Sequence, residues 1–195
     1  MRVRCDGRKF LGFMVSQRGI EVNPEKIQAI MELKPPRTVK EVQSLNGKIV
    51  ALNRFVSRAT DRCLPFFHTL RRSFEWTDKC QIAFDNLKTY LSSSPRLSPS
   101  KPGEELYLYL AVSQAAMSAT LVREEDRSQR PVYFTSRALR RAEERYPQME
   151  KLAFVLIIAA RKLKPYFQAH TIVVLIDKSL RKAISSPEAA GRMAL

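Results

Sequence analysis

The sequence predicts a mixed α+β chain: an N-terminal β-hairpin and a helical bundle, then a mixed β-sheet domain with the element order β-β-β-α-β-α. Three observations carry this. Apolar residues recur at helical spacing between residues 24 and 91. Past a Ser/Pro-rich interval, Ser92 to Pro102, the rhythm changes to strand-like alternation. A long apolar helix pattern then separates the alternating runs from one short, fully apolar strand of the kind a parallel neighbour buries.

The stretch "RKFLGFMVSQRGIEVN" has an apolar run, a Gln-Arg-Gly turn and a short apolar return, the pattern of a β-hairpin. In "NPEKIQAIMELKPP" Asn23 caps a helix, Pro24 takes its first position, Ile27, Ile30 and Met31 form its apolar face, and Pro35 and Pro36 end it. In "TVKEVQSLNGKIVALNRFV" Thr38 and Glu41 have capping-box spacing, and Val39, Val42, Leu45, Ile49, Leu52 and Phe55 share one face. A third helix fits "DRCLPFFHTLRR", with Pro65 bearing on its start, and a fourth starts at Thr77 or Asp78 with Ile82, Phe84, Leu87 and Leu91 inward. Trp76, the sole tryptophan, reads as a packing anchor between the helical half and the chain beyond it.

Beyond the Ser/Pro interval, strands are expected at Leu106 to Val112, Ala116 to Arg123 and Pro131 to Thr135, the last two joined by the charged turn "EEDRSQR". A helix from about Pro147 to Gln168 comes next. "TIVVLID" then supplies a buried strand ending in Asp177, and "KSLRKAI" starts another helix.

Lys and Arg number 34 against 19 Asp and Glu in the 195 residues, a net charge of +15, which points to a polyanionic partner, nucleic acid first. Cys5, Cys63 and Cys80 are odd in number and widely spaced, so they suit neither a disulfide framework nor a metal site, and a reducing compartment is expected. The longest apolar run, Leu152 to Ala160, is too short to span a bilayer, and "MRVRCDGRKF" has no apolar leader core. The expectation is an intracellular protein, in a cytoplasmic particle or the nucleus, not secreted and with no membrane partner.

For chemistry, Asp177 is the first candidate, because a carboxylate ending an apolar strand needs a metal, a cation or a helix N-terminus beside it. Capping the next helix is its competing role. Glu150, in the first turns of the long helix, is the second candidate, with the helix dipole as the simpler explanation. Two-metal phosphodiester hydrolysis needs three or four convergent carboxylates, more than these two. His68 and His170 lack partners at ligand spacing. No phosphate-binding glycine loop or GxSxG appears. "RRSFEW" and "LRRAEERYP" interleave Arg with aromatics, which suits backbone or base contacts as well as a solvated helix end.

In order and over nearly the whole chain, these residues resemble the pol polyprotein of gypsy-type LTR retrotransposons, especially those of plants. "KFLGFMVSQRGIEVNPEKIQAI" resembles the end of a reverse transcriptase palm, with the primer-grip hairpin, leading into the thumb. "PPRTVKEVQSLNGKIVALNRFVSR" resembles the thumb helices, and "FEWTDKCQIAFDNLKTYLSSSPRL" the connection. "LYLYLAVS", "RPVYFTSRAL", "RYPQMEKLAF", "ARKLKPYF" and "VVLIDKSLRKAI" resemble the RNase H-like domain. The implied organisation is 1–22, palm end; 23–75, thumb-like helices; 76–103, connection helix and linker; 104–195, RNase H-like domain, truncated. The resemblance implies nucleic-acid contacts at Phe10, Leu11 and Gly12. Basic helix faces add Arg37, Lys40, Lys48, Arg71 and Arg72 as phosphate contacts. Template-primer RNA/DNA hybrid or duplex and the rest of the polyprotein are the implied partners.

The family's catalytic pattern is incomplete here. Where active relatives read Thr-Asp-Ala-Ser, this chain reads Leu110, Ala111, Val112, Ser113, so Ala111 replaces the first metal-binding acid. The helix motif Glu-Lys-Glu-Leu-Leu becomes Glu150, Lys151, Leu152, Ala153, leaving one of two acids. Asp177 stands at the third position, preceded by Ile176 rather than Thr. Asp177 and Glu150 are thus the remnant catalytic and metal candidates, with Mg2+ the cofactor if any activity remains. Some plant members share the "LAVS" variation, their first RNase H-like domain being a tether to a second, active one. The expected role is an inactive, nucleic-acid-binding fragment. The alternatives are a Mg2+-dependent hybrid ribonuclease within an RNA-directed DNA polymerase polyprotein, and a co-opted or pseudogene product with no nucleic-acid role.

Overall fold

The computed structural model describes residues 8–10, 13–16, 19–69, 74–93 and 96–176. The chain divides into two compact units, Met1–Pro99 and Ser100–Leu195.

In the first unit the expected hairpin is part of a larger sheet. Strands β1 (Arg8–Phe10), β2 (Phe13–Ser16), β3 (Gly19–Val22) and β4 (Arg96–Leu97) form an antiparallel four-stranded sheet in the order β1-β2-β3-β4. The Ser/Pro interval read as linker therefore contains a strand: Ile20 pairs with Leu97, whose side chain is buried, and Glu21 pairs with Arg96 and ion-pairs with it at 2.6 Å. Gly19, at φ +129°, allows this, since a Cβ there would collide with the Leu97 carbonyl.

Helix α1 (Pro24–Met31) begins as expected: the Asn23 side chain accepts from Glu25 N at 3.0 Å, and Pro24 occupies the first turn. At α2 (Val39–Ala51), Thr38 Oγ1 accepts from Glu41 N at 3.2 Å, while the Glu41 carboxylate accepts from Arg37 N at 2.6 Å, one residue before the expected cap. Val42, Leu45, Ile49 and Leu52 are buried; Val39, at the start of the helix, is 39% exposed, a correction to the expected apolar face. A single 3-10 turn, Asn53–Phe55, buries Phe55. Helix α3 (Ala59–Thr69) starts well ahead of Pro65 and carries it inside, and α4 (Asp78–Ser92) buries Cys80, Phe84, Leu87 and Leu91. Ile82 is 60% exposed rather than inward, because only two positions from Phe84 it lies on another face of the helix. Trp76 stacks on Phe66 of α3, with ring centroids 5.7 Å apart, and meets the Phe84 edge at 6.0 Å. Tyr90 of α4 donates to the Phe55 carbonyl at 2.8 Å, and Lys88 donates to the Leu33 carbonyl at 2.7 Å, tying α4 to the segments that flank α2.

The second unit holds β5 (Leu106–Val112), β6 (Ala116–Glu125), β7 (Ser128–Ala138), α5 (Gln148–Lys162), α6 (Lys164–Ala169) and β8 (Ile172–Leu175). Its sheet has the order β7-β6-β5-β8, antiparallel except for the parallel β5–β8 pair, which runs from Leu106↔Ile172 to Tyr109↔Leu175. The β6 and β7 strands run further into "EEDRSQR" than expected, meeting at a two-residue turn in which Asp126 and Arg127 have φ of 53° and 58°. Leu106, Leu108, Met117, Ala119, Leu121 and Val132 make the inner face of the sheet, with Phe154, Val155 and Ala159 of α5 in the same core. The helix expected to run to Gln168 is broken at Leu163, since Pro165 lacks the N–H that the preceding turn needs; Pro165 instead occupies the first turn of α6. The helix expected from Lys178 lies outside the described residues.

Candidate functional site

Two places in the structure test the expected chemistry. The first is the carboxyl end of β5. Ala111 is exposed there and pairs with Ser118. The first turns of α5 are packed over this end: Ala153, fully buried, contacts Leu110, Met149, Leu152, Leu156, Ile157 and Ile176. Leu152, where a relative's acid would stand, thus packs in an apolar cluster. Glu150 is half-buried in the first turn of the same helix. Asp177 lies outside the described residues.

Lys151 is the residue the sequence reading overlooked here. Its side chain is buried and donates from Nζ to the Gln114 carbonyl, 3.4 Å away in the β5–β6 turn. Among the described residues no group of three or more His, Cys, Asp or Glu could hold a metal ion. A methyl group at 111 offers no oxygen, and a buried ammonium nearby supplies positive charge of its own, so the described donor set does not fit a divalent cation.

Two buried ion-pair systems keep this unit in shape. Arg123, with a side chain 5% exposed, donates from Nε to both Glu104 carboxylate oxygens at 3.0 and 3.1 Å and pairs with Glu125 at 3.4 Å. His170 follows α6 and is half-buried, its Nδ1 lying 3.1 Å from the Glu104 carbonyl. Burial works to raise the Glu104 carboxyl, but hydrogen bonds from Arg123 and the Lys101 N–H, with the attraction of Arg123 and His170, outweigh it and hold it below its ordinary value. Near the start of α5, Arg137 donates to both Glu143 oxygens at 2.8 Å, and Glu143 also accepts from Arg140 N at 2.7 Å. The Arg-rich "LRRAEERYP" segment is thereby partly a structural joint, with Tyr146 meeting the Phe154 ring at 6.3 Å.

The second place is the face shared by α1 and α2. A groove of about 390 Å3 runs between them, lined by Lys26, Ala29, Ser44, Gly47, Lys48 and Ala51. Its floor is made of small side chains, and a Cβ added at Gly47 would meet nothing within 4 Å, so the helix backbone is open to close approach there. Of the expected basic contacts, Lys48 lies in this groove, while Arg37 and Lys40 are exposed around the start of α2. Phe10 is on β1; its side chain, and Leu11, Gly12, Arg71 and Arg72, lie outside the described residues. Lys26 was missed because one lysine on a short amphipathic helix carries no signal by itself. Gly47 did carry one, as a glycine inside a strong helix pattern.

The second unit thus combines a mixed sheet with one long helix packed on β5 and β6, and the comparisons identify the family to which this arrangement belongs. Residues 76–174 match the family described as the RNase H-like domain found in reverse transcriptase, and the chain belongs to that family. It is 28% identical over 183 residues to the retrovirus-related Pol polyprotein from transposon opus of Drosophila melanogaster, covering 87% of this chain and 18% of that one. It is 24% identical over 164 residues to the transposon Tf2-3 polyprotein of Schizosaccharomyces pombe, covering 83% of this chain and 12% of that one. The chain therefore spans less than a fifth of these relatives. Among solved structures it is similar to the foamy viral protease-reverse transcriptase in complex with an RNA/DNA hybrid, at TM-score 0.75 and 20% identity, covering 96% of this chain and 27% of that one. It is similar also to the dRH form of that protein in complex with dsDNA, at TM-score 0.73 and 22% identity, covering 93% of this chain and 32% of that one. At these identities the likeness is one of fold. No helix among the described residues is long and apolar enough to cross a membrane.

Proposed function

We propose that the chain is a stretch of a gypsy-type, plant-type LTR retrotransposon polyprotein that holds RNA/DNA template-primer without cutting it. In this reading 1–22 closes a polymerase palm, 23–75 forms the thumb, 76–103 the connection, and 104–195 an RNase H-like domain working as a tether to the rest of an intracellular polyprotein. The observation that carries the reading is the groove between α1 and α2, whose small floor and flanking Lys26 and Lys48 suit a sugar-phosphate backbone. The loss of an acid at Ala111 and the nearby Lys151 ammonium support the inactive half of it, since hybrid cleavage with Mg2+ needs a ligand set that Glu150 and Asp177 alone do not supply.

The test is fluorescence anisotropy of the full chain with a labelled RNA/DNA hybrid across a salt series. If about three phosphates are neutralised, log affinity falls with a slope near −2.7, roughly fortyfold between about 50 and about 200 mM salt. Binding with no salt dependence would sink the electrostatic reading. The same hybrid incubated with Mg2+ should stay intact; robust cleavage abolished by Asp177→Asn would establish the ribonuclease reading instead.

A further inference from the structure

We propose that Ser98 is a phosphorylation site for a proline-directed protein kinase, and that its phosphate loosens the pairing of β4 with β3. Three Ser-Pro dipeptides occur in the chain, Ser94-Pro95, Ser98-Pro99 and Ser186-Pro187, and the residues three places after these serines are Leu97, Lys101 and Ala189. A kinase of this class needs proline directly after the acceptor and reads a basic residue at the third place, so only Ser98 carries both marks. Proline has no N–H to leave unpaired in the kinase cleft, and it holds the residue before it extended, the form in which such a cleft takes its substrate.

The structure presents the acceptor accordingly. Residues 98–101 follow β4 directly and lie outside helix and strand; Ser98 is half-buried, while Pro99 and Lys101 are exposed. Lys101 pairs with Glu125, yet its side chain stays 61% exposed, and a pair so open to water yields at little cost to an acidic group of the kinase. A strand of two residues also opens readily, which frees the segment for the cleft. In the transfer Ser98 Oγ attacks the γ-phosphorus of a kinase-bound nucleoside triphosphate. The new O–P bond forms as the bond from that phosphorus to the β–γ bridging oxygen breaks, nucleoside diphosphate leaves with that oxygen, and the hydroxyl proton passes to the kinase's base.

The effect follows from what surrounds Ser98. Leu97 is buried and pairs with Ile20, while Arg96 stands opposite Glu21 and binds it at 2.6 Å. The Leu97 carbonyl and Pro99 Cδ both crowd the place where a Cβ on Gly19 would stand, so Ser98 is held against β3 from both sides. In an extended chain Ser98 shares a face with Arg96, two residues before it. A phosphate there brings about two negative charges beside a guanidinium already bound to Glu21, competing for it and repelling the carboxylate. Because β4 has only two paired residues, weakening the Arg96–Glu21 half weakens the whole pairing.

The experiment treats the full chain with a purified proline-directed kinase and labelled nucleoside triphosphate, locates the phosphate by mass spectrometry and compares initial rates, with thermal melts of each variant. Phosphate should appear on Ser98, disappear in Ser98→Ala and return in Ser98→Thr. Lys101→Gln should slow incorporation severalfold, while Lys101→Arg keeps the wild-type rate; these two variants carry the specificity test if Pro99→Ala lowers the melting temperature. The phosphorylated chain should unfold at lower urea than the unmodified one, with faster hydrogen exchange at Ile20 and Leu97 and unchanged exchange in the β5–β6 pair. In Arg96→Gln the further loss caused by phosphate should shrink, because the pair it disturbs is already gone. No phosphate on Ser98, or phosphate on Ser94 or Ser186 alone, would overturn the site, and equal rates for wild type and Lys101→Gln would overturn the recognition assigned to Lys101. Phosphate on Ser98 with an unchanged urea midpoint and unchanged exchange would overturn its effect on β4.

Discussion

In the second unit the cations of the sheet are engaged by carboxylates: Arg123 by Glu104 and Glu125, Lys101 and Arg130 by Glu125, Arg137 by Glu143. In the first unit Arg58 and Arg96 are paired, but Lys26, Lys40 and Lys48 make no ion pair among the described residues, and two of those three line one groove. The contrast shows that a net charge of +15 says little until the charges are located. A cation bound to a buried carboxylate serves the fold and is lost to a partner; one standing over small side chains in an open groove does little for stability and is available to phosphate.

That contrast can be broken experimentally. Arg123→Ala leaves Glu104 facing an emptied, mostly buried site, so the chain should lose roughly 2–3 kcal/mol, short of a fully buried pair because Glu104 and Glu125 still reach solvent. Urea unfolding measures it, and an unchanged midpoint would mean that the network is decorative. Lys48→Gln should do the opposite: stability within about 0.5 kcal/mol of wild type, with hybrid affinity down about eightfold near 0.1 M salt. If the stability fell and the affinity held, the roles assigned to the two units would be reversed.

Acid gives a smaller and more specific probe. The folded-state value of Glu104 lies below its ordinary 4.5, so its contribution to stability is fully present above that pH and is lost as pH falls through the lowered value. The urea midpoint should therefore drop between about pH 6 and about pH 3, and Glu104→Gln should flatten part of that drop. A Glu104→Gln profile parallel to wild type would assign the acid sensitivity to other carboxylates. Smallest of all, Ile82→Lys on the exposed face of α4 should change stability by no more than about 0.5 kcal/mol, confirming that its apolar character plays no part in the first unit's core.

The parts of the fold that were legible in the sequence are those fixed by local chemistry. Leu106 to Val112 alternates cleanly because one face packs under α5, and Asn23, Pro24 and Thr38 announce helix starts through hydrogen bonds reaching two or three residues. β4 was not legible: it is two residues long, and its reason for being a strand lies in Gly19 and Ile20 at the far end of the unit. The break at Leu163 was signalled by Pro165, but the apolar pattern ran across it and dominated the reading. At the candidate site, Ala111 could be read from its motif and Lys48 from its helix face. The contact of Lys151 with Gln114 could not, because proximity between a helix and a turn is created only by tertiary packing.

The β3–β4 pairing also bears on how the first unit comes to exist. Its sheet is completed by Leu97, while everything that Leu97 pairs with was made before any of the four helices. A ribosome must therefore deliver almost the whole unit before the last strand can dock. Until then β3 presents an open edge with its Gly19 notch exposed. Closing so long a loop for a two-residue strand is entropically slow, so helix packing should come first and strand docking last. A nascent chain would thus pass through a stage in which its helices are formed but their base is still unlatched.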